Sequence, residues 1–193
     1  DDEIFQYIMP FTIHTIVPVN PTFESFISLF RDFNFQRPVM NSLVVSLVSI
    51  VGSCIVNGIA AFGVATFEFK GKRWIYGLVL VSFMVPFEAI AVSLYSIAAD
   101  LNWVNTFQGL VVPGIADGLV LFLFVQFFKE IPVTYYEAAR LDGAKWSTIF
   151  VRILLPLSTP VLVTGALMVF MNQWNSFLWP LLVAHGRDMR TIQ

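Results

Sequence analysis

Charge is what this chain has least of: Lys, Arg, Asp and Glu make up only 12% of its 193 residues. A soluble domain carries roughly twice that fraction. With 57% apolar residues and twenty Phe, no single core of this size could hide the apolar surface. Cysteine occurs once, as Cys54 inside an apolar run, which excludes a disulfide framework or a thiolate metal cluster within the chain. Cys54 reads instead as a small buried hydrophobe. The two histidines, His14 and His185, are too far apart in sequence to suggest a shared metal site. The chain lacks a Walker lysine loop, an HExxH helix, a CxxC pair and a serine elbow, so no enzyme signature is present. Basic residues are too few and too dispersed for nucleic-acid binding. There is no initiator Met before Asp1, no visible signal peptide and no charged tail before Gln193, as expected of a fragment.

What is there is long apolar runs. Between Arg37 and Glu68 no residue is charged, and about 20 residues suffice to cross a bilayer at about 1.5 Å per residue. The same argument predicts four spans, over about residues 41–67, 74–99, 107–128 and 156–183, in an all-α polytopic membrane bundle. The second is interrupted by Pro86 and Glu88, and the third contains Asp117. Residues 1–37 form a lead-in, and 38–193 the transmembrane domain.

The connections sort by charge. Glu68–Arg73 carries three basic residues, and the segment 129–155 carries Lys129, Arg140, Lys145 and Arg152. Asp100–Asn105 carries none. The positive-inside rule therefore predicts the first two on the cytoplasmic side, with Asp100–Asn105 and both chain ends outside. An outer lead-in implies an earlier span that this sequence does not contain. Within that lead-in, Thr22 as a cap followed by Phe23, Phe26, Ile27 and Phe30 predicts a short amphipathic helix over 21–33, lying on the membrane or packed in a loop.

Small and polar residues punctuate the first span, from Asn41 and Ser42 to Gly63, giving it a face for close helix packing, with Asn57 as a candidate inter-helix hydrogen bond. Glu88 and Asp117 would be costly facing lipid, so both are expected to face the bundle interior, a cavity or a partner. Proton relay, substrate contact and structural hydrogen bonding all fit them. Pro86 could open a kink that frees a carbonyl near a cavity. Asn172, Gln173, Trp174 and Asn175 combine amides for hydroxyls with an aromatic face for a sugar ring. Their alternative reading is an aromatic interface belt (Trp174, Trp179) and a helix bond from Asn175.

Glu137–Pro156, EAARLDGAKWSTIFVRILLP, is polar and rich in small residues between two apolar runs. Pro132 predicts a break after the third span. Thr134 is placed to cap a new helix with Glu137 as its reciprocal partner, and Asp142-Gly143 to end it. A second helix is expected from Ala144 to Leu155, with Trp146, Ile149, Phe150 and Ile153 on one side, until Pro156 opens the fourth span. Ala138, Ala139 and Gly143 read as a surface that another body approaches closely, rather than as core filling.

This segment resembles the EAA loop of the membrane subunits of binding-protein-dependent ABC importers. Glu137-Ala138-Ala139, Gly143, Ile153 and Leu155-Pro156 fall at that motif's spacing, and Asp142 before the glycine is typical of it. The rest is similar to carbohydrate-uptake permeases of the MalG type: Pro21–Glu24, Asn41-Ser42, the basic loop Phe69–Arg73, Pro86, and Trp174-Asn175 followed by Phe177 and Trp179-Pro180-Leu181. The resemblance implies the type I importer permease fold without its first and last spans, in a prokaryotic plasma membrane. It further implies a second, related permease subunit, two ATPase subunits that bind ATP and magnesium, and an extracellular binding protein or lipoprotein delivering a sugar. This chain would itself hold no cofactor. Tyr135–Gly143 would then be the coupling helix and its turn, in an ATPase groove. Glu88 and Asp117 depart from the family pattern.

Overall fold

The computed structural model describes residues 35–192 together with Ile27 and Phe30. Ile27 and Phe30 are helical and exposed. The rest of the helix expected over 21–33, its Thr22 cap and His14 lie outside the described residues. Residues 1–36 and 37–193 form separate compact units, and the bundle belongs to the second. No strand occurs among the described residues.

Helix α1, Gln36–Thr66, is 31 residues long and apolar enough to cross a membrane unaided. Its polarity is inside out. Ser42, Ser46, Ser49, Ser53 and Asn57, spaced three or four apart, are buried, while Leu43, Leu47, Val51, Ile55 and Ile59 face outward. Water would invert that arrangement. In lipid the outer face costs nothing, and the small inner face lets neighbouring helices approach and hydrogen-bond.

The remaining spans are broken. Lys72–Ser82 (α2) and Phe87–Asp100 (α3) meet at 99° within the span expected over 74–99, at the interruption by Pro86. Pro86 offers no N–H and drives Val85 out of helical geometry. The α2 end therefore closes in short turns, Met84 N donating to the Val81 carbonyl at 3.1 Å and Val85 N to that of Ser82 at 3.3 Å. The second pair is Phe107–Val111 (α4), continued by a 3-10 turn through Gly114, and Gly118–Glu130 (α5), bent by 46°.

The fourth expected span, 156–183, is not continuous. Trp146–Leu157 (α7) and Thr159–Trp174 (α8) are bent by 81°, and Leu178–Val183 (α9) is a separate short helix. Within α7, Phe150–Leu154 is a π turn. Pro156 has no N–H for the Arg152 carbonyl and its ring would collide with that carbonyl, so the wider turn ahead of it relieves the clash. Counting each bent pair as one, the structure holds up to four spans.

Two apolar clusters close the bundle at opposite ends of α1. Toward Thr66, Phe62 packs with Val120, Phe124, Phe128, Tyr136 and Ile149; toward Gln36, Val45 packs with Leu110, Trp179 and Val183. Between them Asn57 ties α1 to the second break. Its Nδ2 donates to the Ile115 carbonyl at 3.0 Å, and its Oδ1 accepts from Asp117 N at 3.3 Å. This is the inter-helix bond that an asparagine in an apolar run suggests.

Candidate functional site

Three of these breaks meet around one cavity of about 620 Å³. Phe83 and Phe87 with Glu88 come from the first break, Pro113 and Asp117 from the second, and Asn172, Gln173, Ser176 and Trp179 from the region joining α8 to α9. Four residues singled out in the sequence therefore line one space: Glu88, Asp117, Asn172 and Gln173. Trp174 and Asn175 do not. Trp174 stacks on Phe170 with centroids 5.4 Å apart, and Asn175 Nδ2 donates back to the Met171 carbonyl at 2.8 Å. Each step of about 100° around the helix turns the next side chain away, so adjacent polar residues part company.

Asp117 has structural work besides lining the wall. It is the N-cap of α5, one carboxylate oxygen accepting from Leu119 N at 2.8 Å and Val120 N at 3.0 Å. Glu88 stands in the first turn of α3, exposed to the cavity. Both carboxylates thus sit at helix starts, where the positive end of the helix dipole favours them. Gln173 Nε2 donates to Ser49 Oγ at 3.1 Å, which fixes the amide against α1. Gly114 leaves it room, since an added Cβ would lie 2.7 Å from that nitrogen.

Sequence reasoning missed the aromatic walls. Trp179, assigned to the interface belt in one reading, is buried; its indole N–H donates to the Gly109 carbonyl at 2.9 Å, and Phe87 meets it edge-on at 5.8 Å. The signal available was position: Phe87 sits between Pro86 and Glu88, and Trp179 precedes Pro180.

The second feature is Thr134–Leu141 (α6) and its turn. The expected capping box is not formed. Val133 is the N-cap position and no side chain caps the helix. Tyr136 N and Glu137 N both reach the Val133 carbonyl, at 2.9 and 3.0 Å, and Tyr135 N the Pro132 carbonyl at 3.2 Å. Pro132 and Val133 have thus already started the turn, and Thr134 is inside the helix instead of ahead of it. The far end is a Schellman motif: Ala144 N donates to the Ala139 carbonyl at 2.9 Å and Gly143 N to that of Arg140 at 3.0 Å. Gly143 sits at φ +81°, so the backbone itself requires glycine there.

Within this chain nothing lies within 4 Å of a Cβ at Gly143, so its role in the turn is conformational. One expectation for α6 changes. Ala139 packs against the Thr66-end cluster, which makes it a core contact after all. Tyr136 is buried in the same cluster, its hydroxyl without a hydrogen-bond partner among the described residues, and burial pushes its phenol above the ordinary value. The opposite face is open: Tyr135, Glu137, Ala138 and Asp142 are exposed, and Leu141, which sequence reasoning overlooked, is 90% exposed. Arg140 lies over the Trp146 ring at 5.1 Å and donates to the Ala144 carbonyl at 2.9 Å, bracing the turn. Ile153 is half-buried against the core and Pro156 is exposed at the 81° bend.

Comparison with known proteins joins these features. The arabinooligosaccharide transport permease AraQ of Halalkalibacterium halodurans is 34% identical over 91% of this chain and 63% of its own length. The trehalose transport permease SugB of Mycobacterium tuberculosis is 33% identical over 84% of this chain and 60% of its own. The sn-glycerol-3-phosphate transport permease UgpE of Brucella abortus is 34% identical over 82% and 56%. The chain thus spans about three fifths of the length of these relatives. A crystal structure of a bacterial ABC transporter involved in importing the acidic polysaccharide alginate matches the fold, with a TM-score of 0.84 at 21% identity over 91% of this chain and 62% of that one. Residues 54–193 match the family described as binding-protein-dependent transport system inner membrane component, and the chain belongs to that family.

Proposed function

We propose that this chain is a permease subunit of an ATP-driven, binding-protein-dependent sugar importer. It acts beside a second permease, above two cytoplasmic ATPase subunits, and receives cargo from an extracellular binding protein. The observation that carries this reading is α6. It is a short helix with a fixed end, anchored by buried Tyr136 and presenting Glu137, Ala138 and Leu141 outward from a membrane chain. A helix pinned on one face and bare on the other transmits a push from a soluble motor better than a flexible loop does. Glu137, freed from capping, is available to a basic group on that motor. The cavity supplies the cargo end. Amides and carboxylates can hydrogen-bond hydroxyl groups, and Phe83, Phe87 and Trp179 offer faces for a sugar ring.

The test is Ala138→Arg in the complete transporter. Ala138 is exposed, so the charge leaves the packing intact and blocks close approach. Membrane insertion should be normal, while ATPase co-purification and uptake should each fall about tenfold or more, the effect of about 1.4 kcal/mol. Normal co-purification and uptake, or uptake driven by a proton gradient without ATP, would sink the proposal. A second cargo class, a polyol or glycerol phosphate, is favoured by the likeness to UgpE alone. Thermal-shift screening of the cognate binding protein separates it from sugars.

A further inference from the structure

A second cavity, of about 400 Å³, lies at the end of the bundle that carries α6. Lys72, Arg73 and Lys129 line it against one carboxylate, Glu68, with Phe69, Trp74 and Tyr76 completing the wall. Glu68 is spent on Lys72, Oε1 to Nζ at 2.7 Å. Lys129 Nζ rests 5.5 Å from the Tyr76 ring centroid, and neither it nor Arg73 forms an ion pair among the described residues. The same cavity holds the start of α2. Gly71, at φ +85°, begins that helix with no side-chain cap and no acid in its first turn. Two unneutralised cations and an uncapped helix start therefore converge on one space, which is the chemistry of a phosphate site.

The surroundings favour a lipid over a free ion. From the cavity mouth, Trp74, Leu78 and Val81 form an outward apolar stripe along α2, and α2 buries none of its own residues. Trp74 is 80% exposed at the start of α2, and an amphipathic ring of this kind favours the zone between headgroup and acyl chain. We propose that this cavity binds the phosphate of an anionic phospholipid in the leaflet on the α6 side, with its acyl chains along the α2 stripe. Lys129 sits in the last turn of α5, whose other end is Asp117 at the large cavity. A lipid there would brace α5 against α2.

The experiment uses the complete transporter purified in detergent, with thermal stabilisation by dihexanoyl-phosphatidylglycerol as readout. Dihexanoyl-phosphatidylcholine and inorganic phosphate are the comparison probes. Phosphatidylglycerol should stabilise the wild type and phosphatidylcholine should not. Arg73→Gln and Lys129→Gln should each weaken the apparent affinity about fivefold, and the pair Arg73→Lys with Lys129→Arg should stay within about twofold. Because the last pair keeps both charges, a folding defect in the Gln variants is told apart from lost binding. Equal effects of the two lipids, an unchanged affinity in both Gln variants, or inorganic phosphate matching phosphatidylglycerol would overturn the proposal. So would a wild type indifferent to phosphatidylglycerol, the result expected if a partner subunit covers the cavity.

Discussion

Replacing Asn57 by Ala strikes the bond that holds the second break in place. Asn57 is 3% exposed and serves two backbone groups with no helical partner, the Ile115 carbonyl and the Asp117 N–H, at 3.0 and 3.3 Å. It also donates to the Ser53 carbonyl and hydroxyl, at 2.9 and 2.8 Å. A buried group left unsatisfied costs about 1–3 kcal/mol. Side-chain bonds measured between membrane helices average nearer 0.6 kcal/mol, because the unfolded chain in lipid finds other partners. The larger figure applies where, as here, the orphans are backbone groups at a break that have no helical partner to return to. Two such groups at the low end of that range, with the lost packing, give about 2–4 kcal/mol. Ser53→Ala removes only the neighbouring hydroxyl and should cost about 0.5 kcal/mol. Asn57→Asp keeps the acceptor for Asp117 N but sets a carboxyl oxygen against the Ile115 and Ser53 carbonyls, so it should cost at least as much as Asn57→Ala. Stability is read from tryptophan fluorescence during SDS unfolding of the purified permease, and cargo affinity from uptake. Asn57→Ala within about 0.5 kcal/mol of Ser53→Ala would refute the claim that this side chain holds the break.

Gly143→Ala should cost about 1 kcal/mol from the left-handed backbone alone, and Gly143→Asn less; equal costs, by protease resistance of the 134–144 turn, would contradict the Schellman assignment. Tyr136 is the pH probe. Its phenol is raised by burial, so the docked helix keeps its stability below the ordinary tyrosine value, about 10, and loses it as pH climbs through the raised one. Tyr136→Phe should abolish that alkaline loss in hydrogen exchange of α6 at little cost, since the hydroxyl has no partner among the described residues.

Much of this architecture is legible in one sequence, and the illegible part has a pattern. Span α1 can be read because a charge-free run with serines every three or four residues has one physical solution in lipid. The turn at Gly143 can be read because Asp-Gly after a helix has few alternatives. Pro86 and Pro156 announce breaks, yet neither announces an angle. A proline says which hydrogen bond is missing, while the direction of the next helix is set by contacts distant in sequence. At the first break one such contact is Gly118, where an added Cβ would sit 2.8 Å from Phe83 Cβ. Thr134 misled for a related reason. Its capping chemistry is correct for the residue, but Pro132 had already begun the turn, and backbone bonds were formed before a cap was needed. Ala139 and Ala138 look equivalent in the motif and differ only by a rotation of about 100°, which puts one on the core and the other in the open.

The positions of the breaks also bear on how α6 and the large cavity communicate. Two helical paths join them. One is α5, thirteen residues or about 20 Å, with Asp117 at the cavity and Ile131 one turn from α6. The other is α7 with α8, leaving the Gly143 turn and ending at the cavity with Asn172 and Gln173. These paths are locked together where Gly165 of α8 meets α5, since an added Cβ there would lie 2.7 Å from Phe124 Cε1. Displacement of α6 should therefore move Asp117 together with Asn172 and Gln173. Glu88 and Phe87 belong to α3, which follows α2 through the Phe83–Pro86 turn, where Phe83 lies against Gly118 at the start of α5. A push on α6 should then shift two cavity walls against the third, changing the shape of the space around a bound solute instead of translating it whole. On that division the hinge of the cavity would be the Pro86 turn, the sharpest bend among the described residues and the neighbour of Glu88, one of the two cavity carboxylates.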